Sequence, residues 1–548
     1  MTPRLRPALA LLGLLSACEA APGPRPAVVA APSASPAMPA APSGAVIGSV
    51  AGRAAPGGRL IAPDPRPLEA QPPAANFRNA PENGFQSVAE APVSTFSLHS
   101  DTASYAIARR LLLEGRRPPP EAIRAEEFIN AFPYDYPLPA SRAEPFAPFI
   151  SVHPSPWNPE RRLLHIGLRT YAPAATPRVN LTLLVDVSGS MAPPDRLPLV
   201  VEAMRSLTRR LNPTDQVSIV TYAGKTAVTL PPTPAGNQAA IEAALSTLQA
   251  DGGTSGGAGL ALAYDQAAKA FDRNAVNRVV LATDGDFNLG PTSAPALEGL
   301  IRERRRAGIY LTTLGVGLDN LSDDRMSTIA RAGNGIYVYA ATPEDARRAL
   351  VEDFAQNLLP VADDVKAQVE FNPAQVSGYR LIGYETRLLR REDFRDDTVD
   401  AGEIGSNRAV TALYEFIPRG AAPAVDPLRY APAAPGAAPP PNRGAEFAFL
   451  RLRYKRPGES TSRELVRAIT PRDSHPTFDA APADARFAAA VAGFAQHLRN
   501  SPQVRSWPLE EMAATASAAL GRDVDGRRAE FVALVRRVSR GSALSMLH

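Results

Sequence analysis

From about residue 162 the apolar positions along the chain alternate between two patterns. Continuous Val/Leu/Ile runs occupy 180–187, 216–222, 278–283, 309–316 and 336–339. Between them, 197–211, 238–248, 260–271, 294–306 and 343–358 place apolar residues three and four apart, as in Leu197, Val200, Val201, Met204, Leu207 and Leu211. Strands apolar on both faces, separated by amphipathic helices, predict an α/β fold: a doubly wound, mostly parallel sheet with helices on both sides. Such sheets bind ligands beyond the carboxyl ends of their strands, at the switch point of the strand order.

The flanks follow other periods. Within 94–150, Tyr105, Ala108, Leu111 and Leu112 form one helical stripe, with Ser100 and Asp101 as candidate caps. Ile123, Phe128, Ile129 and Phe132 form a second stripe over 121–132. After Pro360, Val365, Ala367, Val369 and Phe371 alternate, as do Val410, Ala412, Tyr414 and Phe416, and 447–454 is a further strand-like run. This period of two predicts an antiparallel, β-rich domain over 359–472, with a loose Ala/Pro-rich insert at 420–443. Helical stripes at 486–498, 509–520 and 527–538 predict a helical region over 473–548. The expected division is therefore a helical 94–150, an α/β domain with a leading strand over 151–358, and these two C-terminal parts.

Composition changes the picture mainly at the N-terminus. The chain has 548 residues, 56 of them Pro and one of them Cys. Fifteen of the prolines fall between Glu19 and Pro92, and the first aromatic residue is Phe77. Such a segment buries too little apolar surface to offset the entropy of ordering it, so 19–93 is expected to be a tether. Ahead of it, Arg4 and Arg6, the apolar run 8–15 and Leu15-Ser16-Ala17-Cys18 form a secretory signal over 1–18 that is too short to span a bilayer. The last four residues resemble a lipobox, which makes the lone Cys18 the expected lipid attachment point and a lipid anchor the only expected membrane contact. The expected location is the bacterial cell envelope, on the extracytoplasmic side. The net charge of +4 rests on 55 Arg and 4 Lys spread among 55 acids, so no nucleic-acid partner is expected.

The chemistry gathers at strand ends. Asp186-Val187-Ser188-Gly189-Ser190 follows the first core strand, and alternation would turn 186, 188 and 190 to one side. Thr254 lies in the glycine-rich run 252–257, and Asp284 follows another core strand in Thr283-Asp284-Gly285-Asp286. These are hard oxygen donors, suited to Mg²⁺, Mn²⁺ or Ca²⁺ and unsuited to zinc. In this order the three motifs resemble the metal-ion-dependent adhesion site of von Willebrand factor A-type (integrin I-like) domains. The resemblance implies that Asp186, Ser188, Ser190, Thr254 and Asp284 surround one divalent cation whose open position takes a carboxylate from a protein partner. Residues 96–105, Glu126-Glu127-Phe128-Ile129-Asn130, Trp157-Asn158-Pro159 and 369–405 resemble the flanking regions of bacterial envelope lipoproteins carrying this domain.

Other chemistries fit poorly. A Gly-x-Ser-x-Gly elbow would need Gly at Asp186 and at Ser190, and none of the six histidines (99, 153, 165, 475, 497, 548) lies in the α/β core. Gly224-Lys225-Thr226 lacks the first glycine of a phosphate loop, so no nucleotide is expected. Asp286 is the only candidate general base near the site, and no enzymatic activity is expected. The acidic run Glu392, Asp393, Asp396, Asp397, Asp400 and Glu403 is expected to be a solvated hairpin loop. The function these features predict is metal-dependent protein binding; the alternative is an envelope scaffold in which the metal is only structural.

Overall fold

A computed structural model of the protein describes residues 75–173, 177–253, 256–285, 293–353, 359–399, 401–424 and 444–545. The expected signal sequence, most of the expected tether, and residues 425–443 of the insert lie outside the described residues. The α/β domain contains strands β1 (Val179–Asp186), β2 (Gln216–Tyr222), β3 (Thr226–Pro234), β4 (Val276–Thr283), β5 (Ile309–Gly315) and β6 (Tyr337–Tyr339). They lie in the order β6-β5-β4-β1-β2-β3, parallel except for β3. The order reverses between β1 and β4, so this is the switch point.

Helices α1 (Leu197–Thr208), α2 (Gln238–Ser246), α3 (Gly256–Lys269), α4 (Ala294–Arg306), α5 (Asp323–Ala332) and α6 (Pro343–Arg347) cover the sheet. Leu181, Leu183 and Val185 of β1 pack against Val200, Met204 and Leu207 of α1, while Leu184 packs on the other face with Leu260, Tyr264 and Ile301. Each such side chain contributes about 1.5–3 kcal/mol through burial, which fixes the strand between two helical layers.

Two elements were invisible to the hydrophobic pattern. β3 is an edge strand containing Pro231 and Pro232, tolerable only because no strand pairs with its outer side. The supposed fragment of a phosphate loop is its hairpin turn, where the Ala223 N–H donates to the Lys225 carbonyl at 3.0 Å. α5 carries only Met326, Ile329 and Ala330 as an apolar stripe, too short to stand out.

The remaining strands form two antiparallel sheets that pack face to face. One runs in the order Gln86–Ser87, Val376–Ile382, Ala409–Pro418, Asn158–Thr170, Phe146–Ser155. The other runs Leu388–Leu389, Val93–Ser97, Pro360–Phe371, Ala448–Lys455, Arg463–Ile469, with Gly402–Gly405 also paired to Pro360–Phe371. Phe96, Leu164, Ile166, Val369, Phe371, Tyr414 and Leu450 share the core between them.

This differs from the expected sequential division. Asn158–Thr170, the strand expected to lead the α/β domain, pairs with Ala409–Pro418 from Arg169↔Ala409 to Arg162↔Phe416. Val93–Ser97 pairs with Pro360–Phe371. The α/β domain is thus inserted between two sandwich strands, Asn158–Thr170 and Pro360–Phe371. Pairing across 240 residues or more, as from Arg169 to Ala409, leaves no mark in a local hydrophobic pattern. The packed chain also begins well before 93: Phe85 lies against the guanidinium groups of Arg161 and Arg380, and Val88 is buried.

The terminal helices likewise form one unit. Ala103–Leu113 and Ala125–Ile129 share a core with Ala483–Leu498, Leu509–Ala518 and Arg527–Ser545. Phe132 makes edge-on contacts with Phe487 at 5.2 Å and Phe531 at 5.3 Å. The stripe over 121–132 is broken into a single turn at Pro120–Ala122 and the short Ala125–Ile129. Asp101 is not a cap: it accepts from the Tyr337 backbone at 2.9 Å and from Arg387 at 2.6 Å, tying the N-terminal segment to β6 and the sandwich. Among the described residues, no helix is long and apolar enough to cross a membrane.

Candidate metal centre

β1 and β4 end side by side at the switch point, which brings Asp186 and Asp284 to one place. Asp186 is fully buried. Its Oδ1 accepts from the Ser188 backbone at 2.9 Å, and its Oδ2 accepts from the Tyr222 hydroxyl at 3.1 Å and the Thr283 hydroxyl at 2.8 Å. Burial pushes its carboxyl above the ordinary range, while the hydrogen bonds from Ser188 and Thr283 pull it back. Tyr222 can reach it because α3 packs tightly on β2: a Cβ on Gly259 would lie 2.7 Å from the Tyr222 Cβ.

Strand alternation does not itself aim the two serines. The chain leaves β1 with Ser188 extended and then tightens into a single turn over Gly189–Met191. The turn brings Ser188 Oγ and Ser190 Oγ to 3.1 Å, with Ser190 half-buried. The Gly189 N–H donates to the Gly252 carbonyl at 3.0 Å and the Asp251 N–H to the Val187 carbonyl at 2.8 Å, so the glycine-rich loop abuts this turn. Thr254 itself lies outside the described residues, as do Asp286 and Cys18.

Asp284 is also fully buried. Gly285 after it has φ +99°, and a Cβ there would sit 2.4 Å from the Ser322 backbone nitrogen, so only glycine lets the strand end turn under the 317–322 loop. The Asp284 Oδ2 accepts from Arg196 Nη1 at 2.8 Å, and Asn320 Nδ2 approaches the same oxygen at 3.5 Å. Arg196 Nη1 also donates to the Ser190 carbonyl at 2.7 Å, bridging both halves of the site.

The flanking regions touch this edge directly. Arg110, on helix Ala103–Leu113, donates to Asp195 and to the Tyr339 hydroxyl, each at 2.8 Å. Leu318 and Leu321 pack against Ala103, Ile107 and Leu111 of the same helix. The Asn76 N–H donates to the Leu321 carbonyl at 2.8 Å, so the chain joins the fold beside the site loop.

The donor set fits a divalent cation: two buried carboxylates and two adjacent hydroxyls, with a guanidinium already supplying positive charge to one carboxylate. The fold brings together four of the five expected ligands, Asp186, Ser188, Ser190 and Asp284, beside Arg196, Tyr222, Thr283 and Asn320, to which the sequence reading gave no role. Arg196 did leave a signal, as the only basic residue between Asp186 and α1. A second cluster, His99, Asp101 and Glu127, brings three possible ligand atoms within 4.8 Å. Arg387 and Arg124 already occupy those carboxylates, and burial together with these arginines holds His99 well below its usual pKa. The cluster is an ion-pair joint between the N-terminal segment and its neighbours.

The strand order, the serine turn after β1 and the second aspartate after β4 define a von Willebrand factor type A domain, and the family model of that description matches residues 180–356. A model described as von Willebrand factor matches 71–165, and one described as Uncharacterized protein YfbK, C-terminal, matches 356–540. The chain is 41% identical over 474 residues to the Escherichia coli (strain K12) protein described as Uncharacterized protein YfbK, covering 85% of this chain and 81% of that one. It therefore belongs to the YfbK family, as a bacterial type A-domain protein with the family's C-terminal region. A more local similarity, 31% over 170 residues, links it to Uncharacterized protein sll0103 of Synechocystis sp., covering 31% of this chain and 39% of that one. Among solved structures, von Willebrand factor type A from Catenulispora acidiphila is 17% identical with a TM-score of 0.40, covering 72% of this chain and 89% of that one. The domain type points to protein–protein interaction.

Proposed function

We propose that this protein is a lipid-anchored, non-enzymatic binding protein of the bacterial cell envelope, carried on the extracytoplasmic side by Cys18, that grips an acidic side chain of a protein partner through a divalent cation. One observation carries the reading: Asp186, Ser188, Ser190 and Asp284 converge at the switch point of the sheet, where a doubly wound fold binds ligands. Asp186 and Asp284 would supply charge, and Ser188, Ser190 and Thr254 neutral oxygens. A bound Mg²⁺ or Mn²⁺ held largely by hydroxyls keeps enough Lewis acidity to take a carboxylate from outside.

The test is capture of envelope proteins by the full chain in Mg²⁺ or Mn²⁺, in chelator, and with Ser190→Ala and Asp186→Ala. Ser190→Ala matters because Asp186 also orders the strand end, whereas the half-buried Ser190 hydroxyl bonds only to Ser188 among the described residues. Capture should need the ion and fall at least tenfold in both variants. Capture indifferent to chelator and to both substitutions would overturn the reading in favour of a scaffold.

A further inference from the structure

Arg196 occupies an unusual position for a cation. Its side chain is 7% exposed, and it donates to a carboxylate and a carbonyl that both belong to proposed metal-site residues, Asp284 at 2.8 Å and Ser190 at 2.7 Å. Its other terminal nitrogen donates to Asp319 at 2.8 Å, a side chain that is 82% exposed. The guanidinium rests on Gly317, which has φ +65° and where a Cβ would lie 2.6 Å from Nε. That Nε has no hydrogen-bond partner among the described residues. Asp195, the neighbouring acid, is turned to Arg110 instead.

We propose that Arg196 is a built-in counter-cation of the metal centre: it holds Asp284 in the metal-free protein and competes with the divalent ion, so that the ion is held tightly only once an incoming carboxylate adds negative charge. This rests on the metal-dependent reading above. The charge count makes the argument. Among the described residues the buried part of the site holds two carboxylates and one guanidinium, a net charge of −1; Asp319, the guanidinium's outer partner, is 82% exposed and screened by water. A divalent ion then carries excess positive charge until a partner carboxylate brings the acids to three and the balance to −2. Arginine cannot relieve the conflict by losing its proton, so it must shift or weaken the ion. Its link to the solvent-exposed Asp319 gives it a second acidic partner outside the site when an ion draws Asp284 away. Metal and partner would bind cooperatively, because each removes part of the cost of binding the other.

The test is a calorimetric titration of the full chain with Mn²⁺, with and without acetate as the carboxylate probe, for wild type, Arg196→Gln and Arg196→Lys. Arg196→Gln should bind Mn²⁺ at least tenfold more tightly than wild type. Arg196→Lys, which keeps the charge, should lie between them, and acetate should enhance Mn²⁺ affinity more in wild type than in Arg196→Gln. Thermal melts add a readout independent of affinity: in chelator Arg196→Gln should melt below wild type, and Mn²⁺ should restore it. Equal or weaker Mn²⁺ binding by Arg196→Gln, while wild type binds, overturns the competition and makes Arg196 a residue that only positions Asp284. Absence of Mn²⁺ binding in all three proteins overturns the metal-dependent reading along with it.

Discussion

Two buried arginines in this molecule hold carboxylates in opposite ways. Arg380, in the sandwich, is 1% exposed and uses all three guanidinium nitrogens: Nε to Glu415 at 2.7 Å, Nη1 to Glu82 at 3.0 Å and Nη2 to Gln496 at 2.8 Å. The second oxygen of Glu415 accepts from the Trp157 indole at 2.8 Å, so every charge is matched by hydrogen bonds. Arg196 Nε has no hydrogen-bond partner among the described residues, and its outer nitrogen leans on an exposed acid. A closed network of this kind has no cheaper rearrangement available, whereas an open one can exchange partners. Around Arg380 every nitrogen is committed, whereas Arg196, under the proposal above, must exchange a partner when an ion binds.

The largest effect should come from breaking the closed network. Glu415→Ala leaves the buried Arg380 with Glu82 as its one remaining acidic partner among the described residues and removes the partner of Trp157, at a cost of about 3 kcal/mol. Chemical denaturation should show that loss identically in Mn²⁺ and in chelator. A loss that Mn²⁺ repaired would erase the contrast between the two arginines.

An intermediate case tests whether closure is the relevant variable. Arg278, on β4, reaches across to the sandwich segment Gly402–Gly405, donating to Glu403 at 3.0 Å and to the Thr312 hydroxyl at 2.8 Å. Its Nε and the second oxygen of Glu403 find no partner among the described residues, so this pair is half closed. Burial pushes Glu403 up to about 8 against the pull of Arg278. The unfolded chain gives up this proton near the ordinary glutamate value and the folded chain keeps it until about pH 8. The folded state therefore binds more protons between those limits, and stability falls as pH rises across them. Glu403→Gln removes that slope and should gain on the order of 4 kcal/mol over wild type at pH 8, with little difference at pH 4.5. Melting curves across this range check it, and an unchanged slope would show that Glu403 ionises normally in its pair.

The sequence exposed what is local and concealed what is not. The β1 and β4 runs are apolar on both faces because helices cover both sides, and their ends carried Asp186 and Asp284 in plain view. The serines were legible through residue type, though a turn rather than alternation brings them together. Arg196 was hidden because its role depends on the 317–322 loop, which reaches the site only through folding. The acidic run at 392–403 is a solvated loop at Glu392, Asp396 and Asp397, as expected, but Asp393 and Glu403 are buried. Asp397 pairs with Arg453 at 3.1 Å, and Glu403 crosses to the α/β sheet; neither arginine is near in sequence. The sandwich was the least legible part, because four of its eleven described strands precede the inserted domain and seven follow it.

The smallest effect should come from the outer end of Arg196. Asp319 makes a 2.8 Å contact with it, as short as the contact made by Asp284, so distance alone does not rank the two. Exposure does. Water and salt screen a side chain that is 82% exposed, and such pairs contribute about 0–1 kcal/mol, whereas Asp284 is shielded completely. Asp319→Asn should therefore change stability in chelator by less than about 0.5 kcal/mol, and less still at high salt. Asp284→Asn should cost several times more, because it leaves the buried guanidinium with only the solvent-screened Asp319 as an acidic partner among the described residues. Denaturation of the two variants side by side decides between them. If Asp319→Asn proved the more damaging, the arginine would be anchored from the solvent side, and Asp284 would already be available to an ion without competition.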